Sequence, residues 1–542
     1  MNTSTRLLAA GTIVFLTLIG FFQFPGHTFL QSDTQIYVPI LERFWDPGAF
    51  AREPIAQEPH VAFTIYDEMA LALRRLTGAD FRTVLTAQQL VFRALGLLGV
   101  FLIAASLRLR TSHALLVTAA FSLGTAIAGP AVLTIEYEPV PRGFAIPLLL
   151  LAIGLVAHGR DLAAGFAAAI AFLYHPPTVL PFWAVYFALT LWPAKPAIMS
   201  RRIAGLAPML AGVAVLFVLS RAQTGGAEHQ DFFGRIGPEL ERIQRLRAAY
   251  NWVSLWPRYL IAYYLFLWAL SLAAFARLRK SIPQDLRFFL LGLPLIGLLM
   301  PPLCYLLLEK LKWIVIPQAQ PARALLFVVA VALILAAAAA MKAAAERRWW
   351  ESFLWLAPVY ALPAQPLNAK RVAIALALAA LTAFAAWACT RARRWAAAPW
   401  AAAMLVPAFL LPGWGEVRNY PPLHTPELTR LSEWARESTP KDAVFFFPAA
   451  GRNLAPGVFR AQALRALYVD WKAGGQANFL KDYAREWWTR WNDSGSYNST
   501  ILPLDRYRAL GIDYIVVAPA ARIPARAPVY ENARYIVYRT AT

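Results

Sequence analysis

The sequence predicts a polytopic α-helical membrane protein of about thirteen transmembrane helices, followed by a C-terminal α/β domain. Three observations carry that reading. First, 59% of the 542 residues are hydrophobic and 15% charged, with a mean hydropathy of +0.47, whereas soluble domains carry about 25% charged residues. Second, apolar runs alternate with short loops, and every second loop holds Arg or Lys. Third, from Glu416 onward the composition turns to that of a soluble domain, about 125 residues long and large enough for its own core.

The formal charge of +21 raises nucleic acid as a partner. The basic residues fall in the short loops between apolar runs, where positive charge sets membrane orientation, so nucleic acid is not expected. Cys304 and Cys389 both lie in apolar runs and imply no disulfide framework. No zinc spacing, P-loop or dinucleotide fingerprint is present.

In order along the chain, Leu7 to Phe24 is the first apolar run. It reads either as a signal-peptide core or as a span. Its length, close to the roughly 20 residues a span needs, and the lack of an Ala-x-Ala site favour an uncleaved span with a cytoplasmic N-terminus. Further spans are expected at 90–107, 114–133, 143–157, 162–175, 178–193, 203–220, 257–276, 288–307, 324–341, 352–364, 371–389 and 396–413. The short pair at 162–193, parted by His175-Pro176-Pro177, reads as two spans or as one re-entrant hairpin; orientation is the same either way. The loops assigned to the cytoplasm hold Arg108/Arg110, Arg160, Arg201/Arg202, Arg277/Arg279, Arg347/Arg348 and Arg391/Arg393. Positive charge on that side places the C-terminal domain on the outer side of the membrane. The chain thus divides into a membrane domain over 1–413, with a large first outer loop at 25–89, and an outer domain over 414–542.

The first outer loop carries eight acids against five Arg, and the stretch from His60 to Leu76 reads as an interfacial helix. A second surface helix is expected within Arg221 to Trp256, with acids early and Arg late. In the outer domain, Thr425-Pro426 is a helix start with Thr as N-cap and Pro at the first helical position. Ala443–Phe447, Tyr514–Val517 and Arg534–Tyr538 read as strands, and Lys481–Trp491 as an amphipathic helix.

The candidate chemistry gathers in the outer loops. Asp33 lies a few residues beyond the first span, at a depth where a carboxylate meets lipid head groups yet stays ionised. Glu136 and Glu138 sit two apart in the second outer loop, followed by Arg142. With Asp33 they offer hard oxygen ligands for Mg²⁺ or Mn²⁺, or a base and its helpers. They read equally as solvated loop charges, with Glu138 paired to Arg142. His175 reads as a metal ligand, a substrate-orienting group or an interfacial His at a Pro turn. Gln318, Gln320 and Arg323 open the span at 324–341. An Arg at an outer helix end suits a lipid phosphate, or ordinary phospholipid head groups. Arg465, Asp470 and Lys472 put cations and an acid near aromatic side chains, as carbohydrate sites and ordinary surfaces both do.

This layout resembles the GT-C superfamily of membrane glycosyltransferases. The matching features are Asp33 after the first span, the acidic second outer loop with Glu136 and Glu138, the many-span core and the outer α/β domain. The segment Thr439-Pro440-Lys441-Asp442-Ala443-Val444-Phe445 with Arg465 and Asp470-Trp471-Lys472 resembles bacterial members of that architecture. The resemblance implies transfer of a sugar from a polyprenyl-phosphate donor to a glycan, lipid or protein acceptor at the outer face. It also implies Asp33 as base or metal ligand, and Arg323 as a phosphate ligand. The first loop departs from the family pattern in offering Ser-Asp-Thr in place of Asp-x-Asp, which bears on metal dependence. A transporter or flippase of lipid-linked substrates, and a non-enzymatic assembly protein on the same fold, are the rival readings.

Overall fold

The computed structural model describes residues 3–57, 64–222, 232–391, 394–411, 423–498, 501–524 and 526–541. His60 and the expected boundary at 413/414 lie outside them.

Each of the thirteen expected apolar segments holds a helix. Among the described residues, seven helices are long and apolar enough to cross a membrane, and four shorter apolar ones accompany them. The protein is a multi-pass membrane protein. The stretch Val315–Ala345 lies at its centre, its most apolar window buried throughout. It is rich in Ala and Val, and such small side chains let neighbouring helices approach closely. Helices Tyr259–Leu278, Gln284–Cys304, Trp349–Ala361 and Thr111–Ser122 pack around it.

The pair at 162–193 forms two helices, Asp161–Tyr174 and Pro176–Leu191, broken at His175 because Pro176 has no N–H to continue the first. One expected element differs. The segment at 114–133 is helical only over Thr111–Ser122; beyond it Ala126–Ile127 and Val132–Leu133 pair as an antiparallel hairpin. Hydropathy runs straight through this stretch, but the backbone turns at Gly124 and Gly129, both at positive φ. At Gly129 a side chain would also meet the Trp256 ring at 2.9 Å.

The loops at one end of the bundle are built rather than loose. The first long loop contains the helices Thr34–Trp45 and Tyr66–Thr77, and the 221–256 loop contains Pro238–Arg247 with acids in its first turn and Arg in its last. Above them the C-terminal region forms a five-stranded mixed sheet, ordered Ala466–Leu467, Val444–Phe446, Tyr514–Val517, Ile536–Arg539, Tyr530–Glu531. The first three strands run parallel and the last two pairings are antiparallel. Thr425 caps the helix Pro426–Ser438 by accepting from Leu428 N at 3.3 Å. The helix Ala455–Ala463 sits hard on Thr34–Trp45: a Cβ at Gly457 would lie 2.0 Å from Gln35 Oε1, so a larger residue would have to displace the buried Gln35 side chain. The C-terminal region is thereby packed against the helix that follows Asp33.

Candidate functional site

A cavity of 660 Å³ opens where the first loop, the hairpin, the loop carrying Glu136 and Glu138, the 315–323 segment and the C-terminal region converge. Asp33 stands on its wall at the N-terminus of the helix Thr34–Trp45. Lys472 Nζ, from the C-terminal region, donates to Asp33 Oδ1 at 2.5 Å and to Ser32 Oγ at 2.8 Å. Arg142 donates through one terminal nitrogen to Asp33 Oδ2 at 2.8 Å and through Nε to Glu136 Oε1 at 2.7 Å. Burial alone would raise the pKa of Asp33, but Lys472 and Arg142 hold it well below the ordinary carboxylate range.

Glu136 and Glu138, two apart, have different tasks. Glu136 orients Arg142. Glu138 Oε1 accepts from Gln31 N at 2.8 Å, Ser32 N at 2.7 Å and Thr34 Oγ1 at 2.7 Å, and its Oε2 from Asp33 N at 2.7 Å. It serves as the anion at the N-terminus of the helix carrying Asp33, where unpaired N–H groups and the helix dipole favour negative charge. Burial, together with the Asp33 charge, pushes its pKa up from the ordinary value. The hydrogen bonds from its four donors oppose that rise, because they favour the carboxylate form. The alternative pairing of Glu138 with Arg142 is not formed; Arg142 pairs with Glu136 and Asp33.

Two more cations line the cavity. Arg323 Nε is buried with no hydrogen-bond partner, and its guanidinium lies 5.6 Å from the Tyr250 ring. Arg247 donates to the carbonyls of Trp471 at 2.7 Å and Lys472 at 3.1 Å, and burial lowers its pKa. Neither is in an ion pair with a described acid. Gln318 and Gln320 share this wall; Gln318 Oε1 is buried with no partner, and Gln320 turns the chain at φ 49 before Pro321. His175 is also at the cavity, capping Pro176–Leu191, with Nδ1 at 2.8 Å from Thr178 Oγ1. Ile36, Ile127, Val132, Val315 and Phe479 supply the apolar lining.

Two candidates lie elsewhere. Arg465 is spent on Thr439 Oγ1 and on the carbonyls of Arg436 and Thr439, closing the C-terminal end of Pro426–Ser438. Asp470 is buried on Arg460, at 2.8 Å from its guanidinium. Neither lines the cavity. The acids also do not fit the metal-ligand role considered for them. Among the described residues no three His, Cys, Asp or Glu side chains come together as a metal site. Arg142 stands between Asp33 and Glu136, and backbone amides take the oxygens of Glu138.

The fold resembles that of a solved structure over the whole chain. The crystal structure of ArnT from Cupriavidus metallidurans bound to undecaprenyl phosphate superposes with a TM-score of 0.50 at 12% identity, covering 100% of this chain and 98% of that one. The apo form of the same protein gives a TM-score of 0.49 at 13% identity, covering 99% and 98%. The arabinofuranosyltransferase AftD from Mycobacteria gives 0.45 at 14% identity over 100% of this chain and 40% of its own. The family model for a domain of unknown function (DUF6798) matches residues 426–494. Comparison with curated proteins gives no match.

Sequence reading missed three contributors. Arg247 ends a short amphipathic helix, where an Arg is expected for its dipole alone. Tyr37 lines the cavity one helical turn after Asp33 and reads as an apolar-face residue. Arg93, inside the apolar helix Phe81–Ser106, donates to the carbonyls of Gly20 at 2.8 Å, Gly26 at 3.0 Å and Glu136 at 3.0 Å. A charged residue within a membrane helix was the signal that could have found it. It ties the end of the first helix to the loop that carries Glu136, a residue of the cavity wall.

Proposed function

We propose that the protein is an integral-membrane glycosyltransferase that moves a sugar from a polyprenyl-phosphate donor to an acceptor hydroxyl at the outer face of the membrane. The carrying observation is the company Asp33 keeps: with Glu136 and Glu138 it shares one partly apolar cavity with four cations, Arg142, Arg247, Arg323 and Lys472. Two of those cations have no acid partner among the described residues, and buried uncompensated guanidinium groups suit a phosphate. The apolar lining suits the first isoprene units. The undecaprenyl phosphate named for the ArnT structure supports the same ligand class here.

In this reading the donor phosphate lies against Arg323 and Arg247 and draws Lys472 or Arg142 partly away from Asp33. The carboxylate then recovers enough basicity to accept the proton of the acceptor hydroxyl. The acceptor oxygen bonds to the anomeric carbon as the bond from that carbon to the phosphate oxygen breaks, inverting the centre. Polyprenyl phosphate leaves carrying one more negative charge than it brought, and the cations stabilise that charge as it develops. No step is routed through a metal. The proposed placement of the cavity outside and the N-terminus inside rests on the Arg and Lys of the alternate loops.

The test is transfer of a labelled sugar from polyprenyl-phosphate donors in membranes containing the wild type or Asp33→Asn. Transfer by the wild type that is lost in the variant at equal expression supports the reading. Equal transfer by both removes Asp33 from the mechanism.

A further inference from the structure

Arg460 is fully buried, in the helix Ala455–Ala463. One guanidinium nitrogen donates to Gln35 O at 2.8 Å; the other donates to Asp470 Oδ1 at 2.8 Å and reaches Glu53 Oε1 at 3.4 Å. Glu53 Oε2 in turn accepts from Leu467 N at 2.7 Å, on the edge strand of the sheet. One side chain therefore joins the C-terminal region to the first loop at two places. Two of the groups it holds, one in each region, are two residues from the site: Gln35 follows Asp33 by two, and Lys472 follows Asp470 by two. Gly457, one turn before Arg460, supplies the close approach that lets the guanidinium reach Gln35 O. On the other flank, Arg247 donates to the carbonyls of Trp471 and Lys472 and so holds the backbone at Lys472.

We propose that the 426–494 segment, matched by a family of unknown function, completes the site by delivering Lys472 to Asp33, with Arg460 as the positioning residue that sets this delivery. Arg460, Asp470 and Lys472 all lie within that segment, while Asp33, Gln35 and Glu53 lie in the first loop. The segment thus contributes a cation to a carboxylate more than four hundred positions away in sequence. Its other charged candidate, Arg465, serves only the segment's own fold. The kinetic part of this inference rests on the transferase reading; the geometric part does not.

The test separates the two. The Lys472 side chain is 10% exposed and paired with Asp33, whereas Lys441 is 73% exposed. In the purified full-length protein, an amine-reactive label followed by peptide mass spectrometry should mark Lys441 readily and Lys472 slowly. Arg460→Met should raise Lys472 labelling by about tenfold or more at unchanged Lys441 labelling, because a buried, paired amine becomes accessible when its tether is lost. A folded R460M in which Lys472 stays protected overturns the proposal. If R460M does not fold, Asp470→Asn is read in its place: it nearly keeps the side-chain shape and removes the charge partner of Arg460. Protection of Lys472 unchanged in D470N overturns the proposal equally. In a transfer assay, R460M should lower kcat with little change in donor KM. Increased labelling with no transfer by the wild type would leave the delivery of Lys472 standing and defeat the transferase reading alone.

Discussion

Two ion networks, less than one helix apart, use the same residue types to opposite ends. The Asp33 network borders a cavity, its side chains between 4% and 23% exposed, and with Arg247, Arg323 and Glu138 on the same wall the cations outnumber the acids by one. The Arg460 network is sealed, at 0–2% exposed, and has an acid to spare, since one arginine faces both Glu53 and Asp470. A surplus of cations beside an open volume is a binding property. A surplus of acid with no volume is a structural cost, tolerated because the arginine also satisfies a backbone carbonyl and Glu53 a backbone N–H. The sign of the surplus, and whether space lies beside it, separates a site from a latch.

The sharpest way to break this comparison is Asp33→Asn. General-base contributions run to about a hundred- to ten-thousand-fold, and a loss of that size in transfer is expected with the fold intact, as judged by an unchanged melting temperature. Next comes Arg323→Ala. Hydrogen bonds to charged groups contribute about 1.5–3 kcal/mol, so undecaprenyl phosphate affinity should fall about ten- to hundredfold. Binding measured by titration checks this. Glu138→Gln tests whether Glu138 is a support and not a base. The amide cannot accept at both ends, so Asp33 N loses its acceptor, and a cost of about 1–3 kcal/mol in stability is expected. Thermal melts should show that loss, and lipid binding should persist.

The smallest effect is expected in the latch and depends on pH. Burial pushes the Glu53 carboxyl from the ordinary 4.5 up to about 7. An acid raised on folding keeps its proton in the folded chain where the unfolded chain has released it. Stability therefore falls as pH rises from 4.5 through about 7, and below 4.5 this cost is absent. Glu53→Gln removes the slope, so the variant should gain on the wild type as pH rises across that interval. Melting curves on either side of it decide the matter.

The membrane helices and the location of Asp33 were legible because both follow from hydropathy. Apolar runs of span length define the bundle, and an acid just past the first run is conspicuous. The hairpin at 126–133 was not, since Ala126, Ile127, Val132 and Leu133 are as apolar as a span and only Gly124 and Gly129 hint at a turn. Glu136 and Glu138 were found together but could not be told apart, because their roles come from Arg142 on one side and the amides of residues 31–33 on the other. Arg465 and Asp470 looked like site residues for the reason that Lys472 did, a charge near aromatic residues. Their tertiary partners, Arg436, Thr439 and Arg460, lie ten or more positions away and leave no local trace.

The measurement that tests the central claim most directly is a thermal-shift series on the purified protein with undecaprenyl phosphate, against ordinary phospholipids at matched concentration. A ligand that binds only the folded state raises the melting temperature by mass action. The account predicts stabilisation by undecaprenyl phosphate that phospholipids do not reproduce and that Arg323→Ala abolishes. Equal stabilisation by both lipids, or full stabilisation retained in Arg323→Ala, would contradict it.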